Sequence, residues 1–596
     1  MCGIFGVITQ QEQVLGPLLI DAAKKLSYRG YDSVGCATIT KDGNITLRKD
    51  VGKVDDVAPR LNFKEMTGSR GIVQLRWATF GAPSQENSQP HLDSKGFMVG
   101  AHNGNVVNNI ELRQQFMDEG MVVRSDNDGE TCVHAVERYI NKGCDIIDAI
   151  RFAYNDLIGD YSFVIGVSGE ERLYAFKKGS GLVAGIADGI ACVSSDLPSL
   201  LSITRDILFI EDGEIVVLQP EKIELRSVRD GGLIERKFET ILESMEAAQK
   251  GGYEHYMLKE IHEQPQVVRE LLHLLENSRD VSAMVDPLLN ARHIYLIGCG
   301  TSYHACILGS IYMANLAGKP AIPILAPQFI PQYGPTIGPD DVGIFVSQSG
   351  ETKDVLNALS TAKHKGMQIF GLVNVIGSTL IKQSELYMPL TCGYEISVPA
   401  TKTYTNQVVA FLYLALKMGD HDTSDLDELP ALIDRTISLA EEQISGLESL
   451  FDSWSDMYFL GYGSTLPVAL EGALKLKEVT DIHAEGLLST EFKHGPLAAV
   501  RDGYPIIFIS GPDDVSLIVS GINEVACRGA KTIVVGEENP RLRSNASGMI
   551  CIPKAGALLD PVLSIIPLQL LAYKLSVARG FDPDYPRNLS KTLTVD

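Results

Sequence analysis

The chain has 596 residues, and this length favours several domains because single hydrophobic cores stop growing beyond about 250–300 residues. Its composition, 45% hydrophobic and 21% charged, is that of a soluble globular protein. The formal net charge of −23 argues against nucleic acid and anionic membrane surfaces as main partners.

The start of the chain and its cysteines indicate a cytoplasmic protein. No basic stretch followed by an apolar run marks a signal peptide, and no run of about 18 uncharged apolar residues predicts a membrane span. None of the ten cysteines pairs at zinc-finger or C-x-x-C spacing. We therefore expect reduced thiols in a cytosolic compartment.

Residues 2–240 are predicted to form sheets covered by a few helices. Short apolar runs that end in glycine or polar turns are typical of strands. These runs are GIFGVI, SVGCATI, GIVQLRWA, GFMVGAHNG, YSFVIGV, GIACVSS and EIVVLQ. Helical patterns are fewer, and they include GPLLIDAAKKL and DGETCVHAVERYINK.

The first cysteine lies one peptide bond from the start, in MCGIFG. If Met1 is removed, the thiol and the free α-amine of Cys2 share one carbon, and that amine has an ordinary pKa of about 7.7–8.0. Such an amine can take the proton of the thiol, as in N-terminal threonine nucleophiles. The alternative is a small buried apolar residue, which is the usual fate of a free cysteine. These six residues alone favour the alternative.

Residues 241–284 are predicted to be a helical, charged connector between domains. Two glycines, Gly251 and Gly252, and Pro265 interrupt the pattern.

The remainder alternates apolar strands with helices, which predicts parallel sheets, and it contains a repeat. IYLIGCGTS at Ile294 resembles MYFLGYGST at Met457, and IFVS at Ile344 resembles IFIS at Ile507, both 163 residues apart. Two matches at one offset indicate a duplicated α/β domain. We place the copies at 285–430 and 450–585, followed by a tail at 586–596.

Two loops of the first copy follow predicted strands and are rich in small hydroxylated residues: Gly298–Ser302 and Ser347–Thr352. Ligands of open parallel sheets bind beyond the carboxyl ends of the strands, where such loops offer N–H groups and hydroxyls to an anion. No G-x-x-x-x-G-K-[ST] motif is present. Helix capping explains either loop alone, but two together favour a phosphate monoester.

The second copy carries charged groups at helical spacing. Glu471, Lys475 and Glu478 share one helix face, and His494 follows in KHGP. An exposed ion-pair face is the common alternative, whereas a Glu and a His could perform acid–base chemistry on a sugar. Lys591 in the tail could form a Schiff base with a carbonyl substrate.

Both halves resemble one family, the glucosamine-6-phosphate synthases, also called glutamine–fructose-6-phosphate aminotransferases (isomerising). The resemblance runs over nearly the whole chain and implies an N-terminal Ntn-hydrolase αββα glutaminase followed by two SIS domains, three-layer α/β/α units with a flavodoxin-like parallel sheet. The ordered motifs are CGIFG, YRGYDS, RWAT, HNG, HYMLKEIHEQP, CGTS, SQSGET, LEGALKLKE, KHGP and PRNLSKTLTV.

The resemblance implies roles in the first half. Cys2 attacks the glutamine amide and forms a thioester, while Asn103 and Gly104 match the oxyanion hole. Arg76 matches the group that binds the α-carboxylate of glutamine, and Asp128 the one that pairs with its α-amine. Further residues of the glutamine site by resemblance are Thr79 and Trp77 in the closing loop, with Trp77 gating an ammonia channel, and Arg29 beside the cysteine.

The resemblance also implies roles in the second half. Lys591 is the Schiff-base lysine, Glu478 moves a proton between C1 and C2, and Lys475 is its relay partner. His494 opens the sugar ring from the neighbouring subunit of a homodimer. The sugar-phosphate ligands are Ser302, Ser347, Gln348, Ser349, Thr352 and Val398, the last through its backbone. The implied substrates are glutamine and fructose 6-phosphate, the product is glucosamine 6-phosphate, and no metal or organic cofactor is needed.

Four positions depart from the family pattern. Phe80 and Gln89 replace histidines, Ala400 lacks a hydroxyl that the family places near the sugar, and Thr490 lies in a changed segment before KHGP.

Four other functions are weighed. Asparagine synthetase would need an ATP pyrophosphatase loop, and amidophosphoribosyltransferase a phosphoribosyl-pyrophosphate motif; the sequence shows neither. A non-catalytic sugar-phosphate sensor normally carries a DNA-binding helix-turn-helix and basic charge. The same machinery acting on another ketose or aldose phosphate is the nearest rival.

Overall fold

The structure, a computed structural model, describes residues 2–78, 80–240, 250–445, 447 and 454–591, without the side chain of Tyr28. Thr79, part of the predicted connector (241–249) and the last five residues of the predicted tail (592–596) lie outside these ranges. The chain forms two compact units, and the boundary between them lies between Thr240 and Lys250 in the sequence.

The first unit contains two antiparallel sheets. The first has eight strands in the order β15-β11-β9-β10-β1-β4-β2-β3, and the second has seven in the order β14-β13-β12-β8-β7-β6-β5. The strands are β1 Gly3–Val14, β2 Ser33–Ile39, β3 Ile45–Val51, β4 Thr67–Arg76, β5 His91–Leu92, β6 Met98–Val106, β7 Gly159–Val167, β8 Leu173–Lys178, β9 Val183–Ala187, β10 Ile190–Ser194, β11 Asp206–Phe209, β12 Glu214–Gln219, β13 Lys222–Ser227, β14 Leu233–Ile234 and β15 Glu239–Thr240.

Helices cover both outer faces of this pair of sheets. They are α1 Gly16–Lys25, α2 Val54–Arg60, α3 Asn109–Asp118, α4 Asp128–Asn141 and α5 Ile146–Asp156. One core joins the eight-stranded sheet to α1 and α2, and another joins the seven-stranded sheet to α3, α4 and α5. A third core lies between the sheets, where Ile4 and Ile72 pack with Val99 and Val164. The four layers are those of the predicted αββα sandwich, and all seven predicted strand runs and both helical runs are confirmed.

The second unit contains two parallel five-stranded sheets of identical topology. Their strand orders are β17-β16-β18-β19-β20 and β22-β21-β23-β24-β25, the flavodoxin-like order 2-1-3-4-5. The strands are β16 Ile294–Gly298, β17 Ala321–Leu325, β18 Val342–Ser347, β19 Gln368–Val373, β20 Leu386–Pro389, β21 Asp456–Gly461, β22 His483–Leu488, β23 Pro505–Ser510, β24 Lys531–Glu537 and β25 Gly548–Ile552. β18 and β23 begin 163 residues apart, as do β19 and β24, so the predicted duplication is confirmed.

Helices pack on both faces of each parallel sheet. They are α6 Tyr256–Asn277, α7 Arg279–Asn290, α8 Thr301–Ala317, α9 Ala326–Tyr333, α10 Lys353–His364, α11 Thr379–Gln383, α12 Lys402–Met418, α13 Leu429–Ile444, α14 Leu466–Thr480, α15 Val515–Ala526, α16 Pro540–Asn545 and α17 Gly556–Ala578. One large core joins one face of each sheet through α8, α12, α14 and α17, and separate cores cover the opposite faces. The two copies therefore share their hydrophobic interior.

The described part of the predicted connector is helical, as expected, but Pro265 does not interrupt its helix. Helix α6 continues through Pro265, although that residue cannot donate to the carbonyl four residues earlier. The apolar stripe of the helix, which includes Met257, Ile261 and Leu271, is fully buried in the shared core and outweighs this loss. From Lys250 onward the segment belongs to the second unit.

Helix α17 is long and apolar enough to cross a membrane by length and composition alone, although it contains Asp560 and Lys574. Within the structure, 83% of its most apolar window is buried. It packs against α13 and α14, as the core helix of a globular protein does.

A buried ion triad of one histidine and two glutamates lies on α4 in the first unit. His134 Nδ1 lies 2.7 Å from Glu137 Oε2, and Nε2 lies 3.5 Å from Glu130 Oε1. Burial alone would lower the pKa of His134, but the two carboxylates outweigh it and raise that pKa. Burial opposes ionisation of Glu130 as well, yet its hydrogen bonds to His134 and Ser125 hold its pKa at about 2.

We expect His134→Gln to destabilise the first unit by about 2 kcal/mol at pH 6, because it leaves buried carboxylates uncompensated. The folded pKa of His134 is raised, so its contribution is complete below the unfolded value of about 6.5 and is lost as pH rises through the folded pKa. The difference between variant and parent should therefore shrink by pH 9. Hydrogen exchange of the α4 amides in the full chain measures it. An equal difference at both pH values would contradict a protonated His134.

Candidate active sites

The Cys2 thiol lies where two strands of the first sheet end. β1 and β4 pair in antiparallel register with Gly3 opposite Leu75, which places Cys2 beside Arg76 and Trp77. The backbone N–H of Trp77 donates to Cys2 Sγ at 3.3 Å. Burial raises the pKa of the thiol, the Asp128 carboxylate adds to this rise, and the Trp77 N–H and the Arg76 guanidinium oppose it. A thiol in this setting needs a nearby base to become a nucleophile.

Two buried arginines flank the cysteine. Arg29 Nε donates to the Cys2 carbonyl at 3.1 Å, and its Nη1 pairs with Asp196 at 2.8 Å. Arg76 is fully buried, and its guanidinium donates to the carbonyls of Phe80, Gly81 (2.6 Å) and Ala82 (3.4 Å). No carboxylate of the described residues forms an ion pair with Arg76. The guanidinium instead donates its hydrogen bonds to uncharged backbone carbonyls.

Asn103 and Gly104 lie on β6 of the second sheet. Asn103 is 1% exposed, and neither its side-chain oxygen nor its nitrogen has a hydrogen-bond partner among the described residues. An orphaned buried amide is costly, and such groups mark catalytic or ligand positions. Gly104 has φ +124°, and a Cβ there would lie 2.0 Å from the Asp160 carbonyl oxygen. Only glycine therefore fits this position.

Asp128 begins helix α4 and is fully buried. Its Oδ2 accepts from the Val106 N–H at 3.0 Å and lies 3.2 Å from His102 Nε2, whereas Oδ1 has no partner in the part of the chain that the structure describes. Gln89, one of the departures, binds His102 three times: it accepts from the backbone N–H at 2.7 Å and donates to the carbonyl and to ring Nδ1. The Gln89 amide thus holds His102 in place, at a position where the family pattern noted above has a histidine.

The loops of the predicted phosphate site follow β16 and β18, which are the strands at the topological switch point of their sheet. Ser347 Oγ lies 2.9 Å from Thr352 Oγ1 and accepts from the Gly350 N–H. Gly350 turns the loop with φ +66°, and a Cβ there would meet Ser378 Oγ at 2.2 Å. Helices α8 and α10 begin at these loops, so their N-termini add free N–H groups and a favourable dipole.

The remaining predicted phosphate ligands each have a different hydrogen-bond partner within the protein. Ser302 lies in the first turn of α8 and accepts from Gln407 at 3.0 Å, and Ser349 Oγ accepts from the Glu351 N–H. The Gln348 carbonyl accepts from Asn374, and the Val398 N–H donates to the Asp584 carbonyl. A backbone contact of Val398 with a ligand would therefore use its carbonyl.

The charged face of α14 is buried, not exposed. Lys475 is 1% exposed and lies 2.6 Å from Glu478 and 3.4 Å from Glu471. It also donates to Thr301 Oγ1 at 3.0 Å, which links α14 to the first loop of the other copy. Burial lowers the pKa of Lys475, but the two carboxylates raise it to about 12. Burial raises the pKa of Glu478, and Lys475 opposes that rise.

Lys591 has a buried partner that the sequence did not reveal. Its Nζ donates to Glu395 Oε2 at 2.5 Å and to the Ser397 carbonyl at 2.8 Å. Despite burial, Lys591 and backbone N–H groups hold the pKa of Glu395 low, while burial and Glu395 raise the pKa of neighbouring Glu260 to about 8. Because 196 residues separate Lys591 from Glu395, no local pattern could find the pair.

Two predicted residues stand apart. His494 is exposed in a short 3-10 helix, and no hydrogen bond or ion pair among the described residues joins its side chain to the cluster. Thr79 is outside the described ranges. Within those ranges, no three His, Cys, Asp or Glu side chains are arranged to hold a metal ion.

Family comparisons match both units. The glutamine amidotransferase domain family matches residues 75–201, and the SIS domain family matches 287–417 and 450–579. A solved structure of the C-terminal domain of glucosamine-fructose-6-phosphate aminotransferase from Francisella tularensis is 31% identical, with a TM-score of 0.52 over 57% of this chain and 100% of that chain. Tagatose-6-phosphate ketose/aldose isomerase from Escherichia coli, 18% identical, shares the fold over 56% of this chain and 95% of that one, with a TM-score of 0.50.

Whole-chain relatives carry one name. Glutamine--fructose-6-phosphate aminotransferase [isomerizing] from Methanothermobacter thermautotrophicus is 38% identical over 603 residues, and those from Aquifex aeolicus and Clostridium tetani are each 37% identical. Each alignment covers 100% of both chains. With an N-terminal amidotransferase sandwich followed by two SIS domains, this chain belongs to the glutamine--fructose-6-phosphate aminotransferase (isomerizing) family.

Proposed function

We propose that this chain transfers the amide nitrogen of L-glutamine to D-fructose 6-phosphate and isomerises the ketose to an aldose, giving D-glucosamine 6-phosphate and L-glutamate. The observation that carries the proposal is the buried Lys591, whose amine lies in one charged cluster with Lys475 and Glu478. A lysine amine can form a Schiff base with a ketose carbonyl, and an adjacent carboxylate can move a proton.

The glutaminase half releases ammonia. Removal of Met1 gives Cys2 a free amine that takes the thiol proton, and the thiolate attacks the amide carbon of glutamine. The N–H of Gly104 and the orphaned Asn103 amide stabilise the oxyanion that forms. Ammonia leaves, and water then cleaves the thioester to glutamate. Arg76 binds the α-carboxylate, and Oδ1 of Asp128, which is free of protein partners within the described chain, receives the α-amine.

Arg29 and Trp77 position the cysteine. Arg29 ties the Cys2 carbonyl to Asp196, and Trp77 combines its N–H contact to Sγ with an edge-to-face contact of its ring on Tyr31, at 5.7 Å between centroids. Trp77 is only half-buried, as suits a residue at the mouth of an ammonia path. Trp77 and Thr79 are both assigned to the glutamine site, although Thr79 lies outside the described residues.

The isomerase half binds the sugar phosphate in the loop at Ser347–Thr352. His494, supplied by the second subunit of a homodimer, opens the ring, and Lys591 forms an imine at C2. Ammonia displaces Lys591, and Glu478 moves a proton from C1 to C2, which yields the amino aldose. The high pKa of Lys475 keeps it an ammonium that stabilises the Glu478 carboxylate.

Four further features belong to the proposal. Ammonia passes internally from Cys2 to the sugar, so that bulk water neither protonates nor dilutes it. The protein acts as a cytoplasmic homodimer, which is required if His494 comes from the partner. The domains are a glutaminase at 2–240, a connector at 241–284, SIS copies at 285–430 and 450–585, and a tail at 586–596. Neither metal nor organic cofactor takes part.

Incubation of the purified protein with glutamine and fructose 6-phosphate tests the whole scheme. Mass spectrometry should find glutamate and glucosamine 6-phosphate in roughly equal amounts, and Cys2→Ala should abolish both. Glutamate without an amino sugar would direct the search to other ketose phosphates. No glutamate from protein shown to begin at Cys2 would overturn the amidotransferase mechanism.

Replacing Asn103 should affect only the first half. We expect Asn103→Ala to lower kcat for glutamate release by about 10²–10³-fold, because one oxyanion donor is lost. Proton abstraction at C1 in the second half should not change, as measured by tritium release from C1 of fructose 6-phosphate. Asn141→Ala, at an exposed site on α4, is the matched control. A loss below threefold would remove Asn103 from the oxyanion hole.

Replacing Glu478 should affect only the second half. We expect Glu478→Gln to reduce amino-sugar formation by about 10²–10⁴-fold, since the general base is gone. Glutamate release should persist within threefold. Glu485→Gln, on strand β22 with a half-exposed side chain, controls for loss of a nearby carboxylate. Undiminished product from Glu478→Gln would exclude Glu478 as the base.

A further inference from the structure

Asp584 ties the start of the segment that carries Lys591 to helix α6. Its buried carboxylate accepts from the backbone N–H groups of Tyr256 and Met257, at 2.8 Å each. These N–H groups belong to the first turn of α6 and have no acceptor within the helix. The Asp584 carbonyl also accepts from the Val398 N–H at 3.0 Å. One residue, seven positions before Lys591, thus joins this segment to the helix and to the neighbouring loop.

Glu260, one turn further along α6, holds that loop. Its Oε1 accepts from the backbone N–H groups of Ile396 and Ser397, the latter at 3.1 Å, and the residue is 1% exposed. The Ser397 carbonyl accepts from Lys591 Nζ at 2.8 Å, and Glu395, which adjoins Ile396, accepts from the same amine at 2.5 Å. Both acceptors of the lysine amine therefore lie in or beside the peptide groups that Glu260 binds.

The Lys591 amine is placed by segments without regular structure. Neither residues 579–591, which carry the amine, nor residues 390–401, which we call the acceptor loop, contain a helix or a strand; both segments are described in full. Such segments have no internal ladder of hydrogen bonds, so their position depends on the contacts that tether them. Helix α6, by contrast, has 22 residues and buries Met257 and Ile261 in the shared core. It can serve as a common support for both segments.

Helix capping alone does not account for this arrangement. It explains a carboxylate at the N-terminus of α6, but Glu260 directs its hydrogen bonds away from the helix, to a loop 136 residues along the chain. Burial and the nearby Glu395 raise the pKa of Glu260 to about 8. Because Oε1 can accept an N–H in either protonation state, the contact does not depend on charge. The motif that contains Glu260, HYMLKEIHEQP, has no other assigned role.

We propose that Glu260 and Asp584 are positioning residues of the Schiff-base site: Asp584 fixes the segment that carries Lys591, Glu260 fixes the acceptor loop that holds its amine, and α6 supports both. Neither residue contacts the sugar in this scheme. The inference rests on the proposed function of Lys591. Its consequence is that imine formation depends on the two carboxyl groups, whereas sugar binding does not, because the phosphate loop at Ser347–Thr352 belongs to other elements.

The main test is Glu260→Leu, because leucine fills a similar volume and offers no acceptor. The full chain is mixed with fructose 6-phosphate in the absence of glutamine, and cyanoborohydride reduces the C=N bond of the imine to a stable amine at timed intervals. Mass spectrometry of the Lys591 peptide gives the trapping rate. We expect it to fall by about 10²-fold, the effect of misplacing a reacting group by about 1 Å. Calorimetry should still find one sugar bound per chain, with Kd within threefold of the parent.

Three further variants make the test specific. Glu260→Gln should trap within threefold of the parent rate, since the amide oxygen can accept both N–H groups. Glu537→Leu is the matched control, because Glu537 Oε1 also accepts from two consecutive N–H groups, those of Ala555 (3.0 Å) and Gly556 (3.1 Å), at the start of α17. Its trapping rate should equal that of the parent. Asp584→Asn leaves one N–H of α6 without an acceptor and should slow trapping about tenfold.

Three outcomes would overturn the inference. Trapping at the parent rate in Glu260→Leu and Asp584→Asn would show that neither residue places the amine. A loss that matches the loss of bound sugar, or that recurs in Glu537→Leu, would reduce the contacts to a general role in folding. Trapping by Glu260→Gln as slow as by Glu260→Leu would show that the acceptor is not what matters. No label on Lys591 in the parent would instead overturn the proposed Schiff base itself, so the two failures are distinguishable.

Discussion

The ion pair of Lys475 with Glu478, inside a buried cluster, is the constraint on which the second unit depends. An ammonium and two carboxylates are stable in the interior only if each has partners, and those partners come from both SIS copies: Thr301 and His304 from the first, and the α14 residues from the second. The shared hydrophobic core brings α8 and α14 together. Packing between the copies therefore sets the environment of the proposed base, Glu478.

The two copies have kept one topology and diverged in chemistry. In the first copy, the loop after its third strand presents Ser347, Gly350 and Thr352 to an anion. The corresponding loop of the second copy follows Ser510 and contains Asp514, near the buried Asp560 of α17. Burial raises the pKa of Asp514 to about 6 and that of Asp560 to about 8. Above about pH 6 the Asp514 carboxylate is ionised and repels a phosphate, so this loop lacks the character of an anion site.

Much of the fold follows from local patterns in the sequence. Apolar runs bounded by turns located the strands of the sandwich, and the offset of 163 residues located the duplication, since strand ends and their glycine turns depend on nearby residues. The i, i+4, i+7 spacing correctly placed Glu471, Lys475 and Glu478 on one face. It could not tell that the face is buried, because burial depends on what α8 brings against it.

Contacts between segments that are distant in the sequence could not be predicted from local patterns. Glu395 and Glu260 at the Lys591 amine, His304 on Glu471, and the three hydrogen bonds of Gln89 to His102 all depend on tertiary structure. Pro265 predicted a break that helix α6 does not have, because the penalty of proline in a helix is local whereas the burial that offsets it depends on tertiary structure.

The duplication has a consequence for how such a chain can change over time. With the roles proposed here, the first copy holds the phosphate and the second supplies the acid–base groups. Neither copy could therefore catalyse the reaction alone if the gene were split. Thr301 and His304 of the first copy contact α14 of the second, so a mutation on one side of these contacts must be compensated by a mutation on the other side. The pair is expected to travel through recombination as one inseparable module, whereas the N-terminal sandwich has hydrophobic cores of its own.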